Sequence, residues 1–296
     1  MDETVKWTNL TRQEIADLLR AEGIEVSVTV VDQLLEKHNY RKRKAQKRLA
    51  TGTHQKRNEQ FENIERLKVS YQAAGNPVLS MDTKKKELIG LLYREGRLYT
   101  TEEIEVYDHD WNSLASGVAI PHGLYDLSLN VGYIHLGTSH DTGEFACDAI
   151  RHWWQYYGSA EYVTASSILL LCDGGGSNSS RQYLFKQDLQ TLVNELGIEI
   201  RIAHYPPYTS KYNPIEHRLF PHLTRACQGV IFDSVEMVKD LMASSKTKTG
   251  LKVFTAVLDK VYETGRKVTE EFKQTMEIVF DNYLPQWNYT AKPQVS

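Results

Sequence analysis

Cysteine is scarce in this chain and never closely paired. Only Cys147, Cys172 and Cys227 occur, with no CxxC spacing, which argues against a disulfide framework or a zinc knuckle and fits a reducing compartment. Long apolar runs are lacking as well. The most apolar stretch, residues 168–171 (ILLL), falls far short of the ~20 residues a bilayer helix needs. The first residues, Met1-Asp2-Glu3-Thr4, are acidic and polar, unlike a secretory leader. A cytoplasmic protein with no membrane partner is therefore expected. Neither sign of charge prevails: 35 Lys+Arg stand against 38 Asp+Glu, so the total gives no hint of a nucleic-acid partner. No internal repeat or low-complexity tract interrupts the chain. Its 296 residues suffice for one large domain and a small one.

The distribution of charge says more than its sum. Residues 1–72 hold 14 Lys+Arg against 11 Asp+Glu, and residues 41–57 hold eight basic residues and no acid. Such a stripe neutralises phosphates and releases counterions, whatever the total charge; the plainer reading is a solvated helical face. Just before it, Thr11 and Glu14 have capping-box spacing, and Ile15, Leu18 and Leu19 recur at helical period. Gly23 closes that helix. A second follows with Val30, Val31, Leu34 and Leu35 as its expected buried side. Two short helices and a basic run read as a helix-turn-helix over residues 1–58. Ser27, Thr29 and Gln33 would then face the major groove, and Arg41, Lys42, Arg43, Lys44, Lys47 and Arg48 would hold the backbone. A helical hairpin used only for packing is the alternative.

Residues 59–76 read as a connecting helix, with Phe61, Ile64, Leu67 and Val69 apolar. The pattern then turns to strands: 77–82, 118–127 and 131–138, the last two joined at Asn130. Helices are expected over 141–157 and 181–196, strands over 167–172 and 198–203, and a third helix from Pro214. The order is βββ-α-β-α-β-α. This predicts an α/β fold, a ribonuclease H-like mixed sheet over residues 77–285, beside the small N-terminal helix-turn-helix domain and before a tail at 286–296.

Three acids stand where this order would gather them. Asp82 ends the first strand and Asp173 the fourth, and neighbouring parallel strands open on one crevice. Glu216 lies in the first turn of the helix after the fifth strand. An all-oxygen cluster suits Mg²⁺ or Mn²⁺, and two such ions ~3.5–4 Å apart can activate an attacking oxygen and stabilise a leaving one at phosphorus. Each acid also has a duller reading. Asp82 can cap a turn, Asp173 can begin a tight glycine loop, and Glu216 can complete a capping box with Asn213 as N-cap and Pro214 at N1. The glycines after Asp173 match neither a P-loop nor a dinucleotide fingerprint. Lys84 and Lys85 read as further DNA contacts; Gly174, Asn178, His204, Asn213, His217 and Arg218 read as supporting residues.

The chain resembles the Rhodopirellula-type (ISAzo-type) DDE insertion-sequence transposases. The likeness is carried by residues 80–90 (SMDTKKKELIG), 121–126 (PHGLYD), Asp141-Thr142, 150–154 (IRHWW), 173–178 (DGGGSN), 206–211 (PPYTSK), 215–220 (IEHRLF) and 287–290 (WNYT). The stretch from Tyr208 to Glu216 is also similar to the wider mariner-like superfamily. The resemblance implies a ribonuclease H-like domain using two Mg²⁺ or Mn²⁺ ions, with Asp82, Asp173 and Glu216 as catalytic acids and metal ligands. It implies hydrolysis at transposon ends and attack of the new 3′-hydroxyl on target DNA, by a bacterial, nucleoid-associated protein acting as a homodimer on double-stranded DNA. Residues 97–112 depart from the family pattern. Family members usually carry a further N-terminal DNA-binding region, which leaves two readings here: a truncated helix-turn-helix region or a mis-assigned start.

Two other functions fit the same residues: a transposon-derived regulator that binds DNA without cutting it, and a ribonuclease H-like nuclease acting on RNA or hybrids. For the basic stripe, neutralising Arg41, Lys42, Arg43 and Lys44 together is expected to weaken binding to all DNA sequences. Each lost phosphate contact should flatten the log–log salt slope by about 1. A titration in stepped salt checks this, and an unchanged slope would remove these residues from the interface.

Overall fold

Thr11 and Glu14 form the reciprocal cap that their spacing predicts. Thr11 Oγ1 accepts from Glu14 N at 3.2 Å, and Glu14 Oε2 accepts from Thr11 N at 2.6 Å. They open helix α1 (Arg12–Ala21), and helix α2 (Val28–Lys37) follows with Ser27 as its N-cap. In this computed structural model, which describes residues 8–43, 55–175 and 182–294, the two helices belong to a first compact unit, Met1–Ala50. Arg12 bonds Asp32 across the pair at 2.5 Å, and Ala16 and Val31 are buried between the helices. The expected apolar side of α2 is only partly covered: Val30 and Leu34 are exposed, as is Leu18 on α1. Two ten-residue helices share one narrow stripe and cannot enclose a wider face. Lys44, Lys47, Arg48 and Asn178 lie outside the described residues.

The second unit, Thr51–Ser296, is built on a mixed sheet. Its strands are β1 (Val78–Thr83), β2 (Glu87–Ile89), β3 (Gly117–Asp126), β4 (Val131–Gly137), β5 (Ser167–Cys172), β6 (Glu199–His204), β7 (Lys252–Val257), β8 (Ile278–Phe280) and β9 (Asn288–Ala291). The order across it is β7-β4-β3-β1-β5-β6-β9-β8, with β2 on β3. β1, β3 and β4 pair antiparallel, while β5 and β6 run parallel to β1. This inner set, β4-β3-β1-β5-β6, is the ribonuclease H-like arrangement predicted from the strand order. The turn between β3 and β4 uses Asn130 at φ 56°, a left-handed conformation that Asn tolerates better than most residues.

Helices cover both faces. Helix α3 (Arg57–Ala73) opens the unit. Helix α4 (Gly143–Trp153) runs through a π turn, Trp154–Gly158, into the short α5 (Ser159–Glu161), and α6 (Tyr183–Leu196) lies beside α4. Next come α7 (Pro214–Arg218), α8 (Phe220–Ala226), α9 (Val235–Ala243) and α10 (Glu270–Thr275). Alternation along the strands assigns the faces. Leu79, Met81, Ile168, Leu170 and Cys172 pack with Ile150, Trp153, Phe185 and Leu189 of α4 and α6. Val78, Leu169 and Leu171 point the other way, onto Ile64 and Leu67 of α3. Ile134, Leu136 and Tyr125 meet Ile215, Leu219, Leu223 and Met242 of α7, α8 and α9. Each fully buried apolar side chain stabilises by about 1.5–3 kcal/mol. No helix among the described residues is long and apolar enough to cross a membrane.

Two predicted segments differ from expectation. Residues 59–76, read as a connector, belong to α3 for most of their length, and α3 packs directly on the sheet. Its Gln60 and Asn63 are buried and donate to Asn288 Oδ1 at 3.0 and 3.1 Å. Residues 286–296, read as a tail, carry β9, which pairs antiparallel with β6 and β8. Both differences have one cause: Gln60, Asn63 and Asn288 look solvated in sequence but satisfy one another in the interior.

Gly123 shows how tightly the α7 side is packed. A Cβ there would meet Ile215 Cδ1 at 2.8 Å and Phe220 Cε1 at 2.9 Å, so its missing side chain lets α7 and α8 lie on β3. Gly123→Val is expected to destabilise the protein by about 1–3 kcal/mol through overpacking, read as a lowered denaturation midpoint. An unchanged midpoint would mean that α7 is free to move off the sheet.

Candidate active site

β1 is apolar, Ser80 apart, until its last two residues. Parallel pairing sets Met81 beside Cys172, so the residues that follow, Asp82 and Asp173, leave the sheet at the same edge. Alternation turns Asp82 to the face of Ser80, the face α7 covers. The tie between that strand and α7 is buried and polar. Ser80 Oγ donates to Asn213 Oδ1 at 2.5 Å and accepts from Ile215 N at 2.9 Å, while Asn213 Nδ2 donates to Met81 O at 3.1 Å. Ser80 thus caps a helix from outside it. Asn213 caps nothing on α7, and its own N–H goes to Ser210 O at 2.8 Å. The capping box once weighed for Glu216 therefore does not form, leaving Glu216 to lie, half-buried, toward Asp82.

The acids feel one another. Burial first, then the Asp173 charge, push the Asp82 carboxyl up to about 8. Glu216 adds its charge and a side-chain hydrogen bond in the same direction, while the Thr83 N–H opposes them. Burial also raises Asp173, against the Gly175 N–H. Asp82 Oδ1 accepts from Thr83 N at 2.8 Å and Asp173 Oδ1 from Gly175 N at 3.2 Å. No three His, Cys, Asp or Glu side chains among the described residues form a group that could hold a metal ion.

The flanking residues divide. His204 is buried beneath Asp173, its Nδ1 2.9 Å from the Asp173 carbonyl oxygen and its Nε2 3.3 Å from Tyr289 Oη. Burial pushes it down to about 4, so it is a neutral support for the strand end. Gly174 gives no special closeness: an added Cβ would meet Tyr205 O at 3.5 Å, an ordinary contact. His217, Arg218 and Lys85 are exposed beside the acids in sequence. Lys84 is turned inward and paired, with Arg94, to the buried Glu87. A buried carboxylate requires compensating cations, so Lys84 is spent on structure rather than displayed to DNA. In the first unit, Ser27 Oγ accepts from Val30 N at 3.3 Å as a cap, while Thr29, Gln33, Arg41, Lys42 and Arg43 are exposed.

Sequence reading passed over Ser80, Thr83, His122 and Asp141. Ser80 alone carried a signal, a hydroxyl inside an otherwise apolar strand. Thr83 Oγ1 lies 2.9 Å from His122 Nδ1 and donates to Asp141 Oδ1 at 3.1 Å. That set depends on Thr83 pairing opposite His122, which spacing does not reveal.

A family model described as Rhodopirellula transposase DDE domain matches residues 1–293. No curated protein matches the chain. Among solved structures, a pre-cleavage Mos1 transpososome shares 16% identity at TM-score 0.46, over 81% of this chain and 72% of that one. The Mos1 mariner paired-end complex with Mn shares 15% at TM-score 0.43, over 81% and 72%. The Mos1 strand transfer complex shares 16% at TM-score 0.41, over 81% and 71%.

If the Ser80–Asn213 tie carries α7, Asn213→Ala is expected to cost about 1–3 kcal/mol, since it strands Ser80 and the Met81 carbonyl without their partner. Chemical denaturation measures this, and a loss below about 0.5 kcal/mol, within the range of ordinary surface substitutions, would show that α7 is held by its apolar contacts alone.

Proposed function

This chain belongs to the Rhodopirellula transposase DDE domain family, and on that premise we propose that it cleaves transposon ends and joins their freed 3′-hydroxyls to target DNA. The observation that supports the reading is that Asp173 and Glu216 both act on the Asp82 carboxyl at the sheet edge. Asp82 is pushed up to about 8 by burial and by the other two acids. These residues fit a divalent ion in chemistry: all three offer hard oxygen donors, and an added cation would favour the ionised form that crowding now opposes. Asp82, Asp173 and Glu216 would hold Mg²⁺ or Mn²⁺, two ions in this reading. Bound there, the ions supply charge stabilisation to the attacking and leaving oxygens of an in-line displacement at phosphorus.

The chain's own contribution is placement. Asp82 and Asp173 are fixed by adjacent strands, and Glu216 rides on a helix pinned to β1 by Ser80 and Asn213. Each backbone amide engages the Oδ1 of its aspartate, and these bonds leave the other oxygen of each for an ion. His204 keeps the Asp173 turn against β6. Lys85, His217 and Arg218 are candidates for phosphate contacts beside the acids. The N-terminal unit would bind duplex DNA through Thr29, Gln33 and the run beginning at Arg41, and two copies would act together on paired ends.

The test uses the full chain, terminal-repeat DNA from its own flanking sequence, and Mg²⁺ or Mn²⁺. Nicking at the repeat boundary is expected. Asp173→Ala should bring it to background while gel-shift binding is kept. Binding without nicking by the wild-type chain would mark a regulator. Faster turnover of an RNA–DNA hybrid than of DNA would mark a ribonuclease and sink the transposition chemistry.

A further inference from the structure

Thr83 follows Asp82 on β1 and faces the opposite side of the sheet, toward α4. Its hydroxyl has a single proton, and the Asp141 carboxylate, 3.1 Å away, can only accept it. The Thr83 oxygen must then accept from His122 Nδ1 at 2.9 Å. That fixes the His122 tautomer, with the proton on Nδ1 and a lone pair on Nε2. Nε2 is buried and has no hydrogen-bond partner, and the whole His122 side chain is enclosed. A protonated imidazole would bury a second N–H with nothing to receive it, so His122 is held as a neutral donor whose one N–H goes to Thr83. The chain Asp141–Thr83–His122 thus runs from the start of α4 to the middle of β3. The residue it clamps is the one whose backbone N–H bonds Asp82 Oδ1 at 2.8 Å.

We propose that Thr83, clamped between His122 and Asp141, is a positioning residue that sets the orientation of the Asp82 carboxylate for a divalent ion. The threonine never touches the reacting groups. Its hydroxyl fixes the peptide that follows Asp82, and that peptide's N–H fixes one carboxylate oxygen. Partners of this kind, which orient a ligand from behind, typically alter metal affinity by about 10–100-fold when lost. The inference rests on reading Asp82 as an ion ligand, so the experiment must separate the two.

Mn²⁺ binding to the full chain, followed by the spin-resonance signal of the free ion, makes that separation. A melting curve on each variant accompanies it. Asp82→Asn is expected to abolish tight binding; if it binds as the wild type does, Asp82 is no ligand and the inference goes with it. Thr83→Val keeps shape and backbone N–H but removes the hydroxyl, and is expected to weaken Mn²⁺ binding by roughly 10-fold. Thr83→Ser should restore it. Asp141→Asn keeps an acceptor for the hydroxyl and should bind like the wild type. If Thr83→Val melts below the assay temperature, Asp141→Ala removes the acceptor instead and should show the same weakening. Wild-type affinity in Thr83→Val or its stand-in, with Asp82→Asn defective, overturns the positioning role and leaves the reading of Asp82 standing.

Discussion

Two side chains with no charge, Ser80 in β1 and Asn213 ahead of α7, govern how the acidic edge is put together. Their hydrogen bonds are buried, and each would cost stability if left unmade, so strand and helix are bound in a single register. Every other feature of the edge presupposes that register. It brings Glu216 to the face on which Asp82 emerges, and it makes Ser80 the cap of α7, which frees the Glu216 carboxyl from that duty. Gly123, opposite Asp82 in the β1–β3 ladder, provides the space that lets Ile215 and Phe220 approach the sheet.

Burying acids at a sheet edge is unfavourable by itself: burial raises both Asp82 and Asp173, and Asp82 is raised further by its acidic neighbours. The fold holds them with buried, neutral histidines set behind the strand ends. His204 meets the Asp173 carbonyl, and His122 meets Thr83, the residue after Asp82. Burial pushes each down to about 4, so neither brings a competing positive charge to the edge.

The lysines near the edge follow the same economy. Lys84 is consumed by Glu87, itself buried at the start of β2, and only Lys85 and Lys86 of that run remain exposed. In the N-terminal unit Arg41, Lys42 and Arg43 are exposed. That unit's helices form as their caps require, yet they leave Leu18, Val30 and Leu34 exposed.

The sequence by itself determined the five inner strands of the sheet and the first helix cap. Apolar runs ending abruptly in Asp82 or Asp173 mark strand ends, because burial favours one residue type until the chain leaves the core. The Thr11–Glu14 cap was legible because it is made within four residues. What only the tertiary structure decided is everything made between polar residues far apart in the chain. Asn213 reads as a helix cap and proves to be a cross-link to β1. Residues 286–296 read as a tail and prove to hold a strand whose Asn288 is locked to Gln60 and Asn63. A polar side chain advertises solvent to any local reading, and only its partner, 130 or 200 residues away, turns it into interior structure.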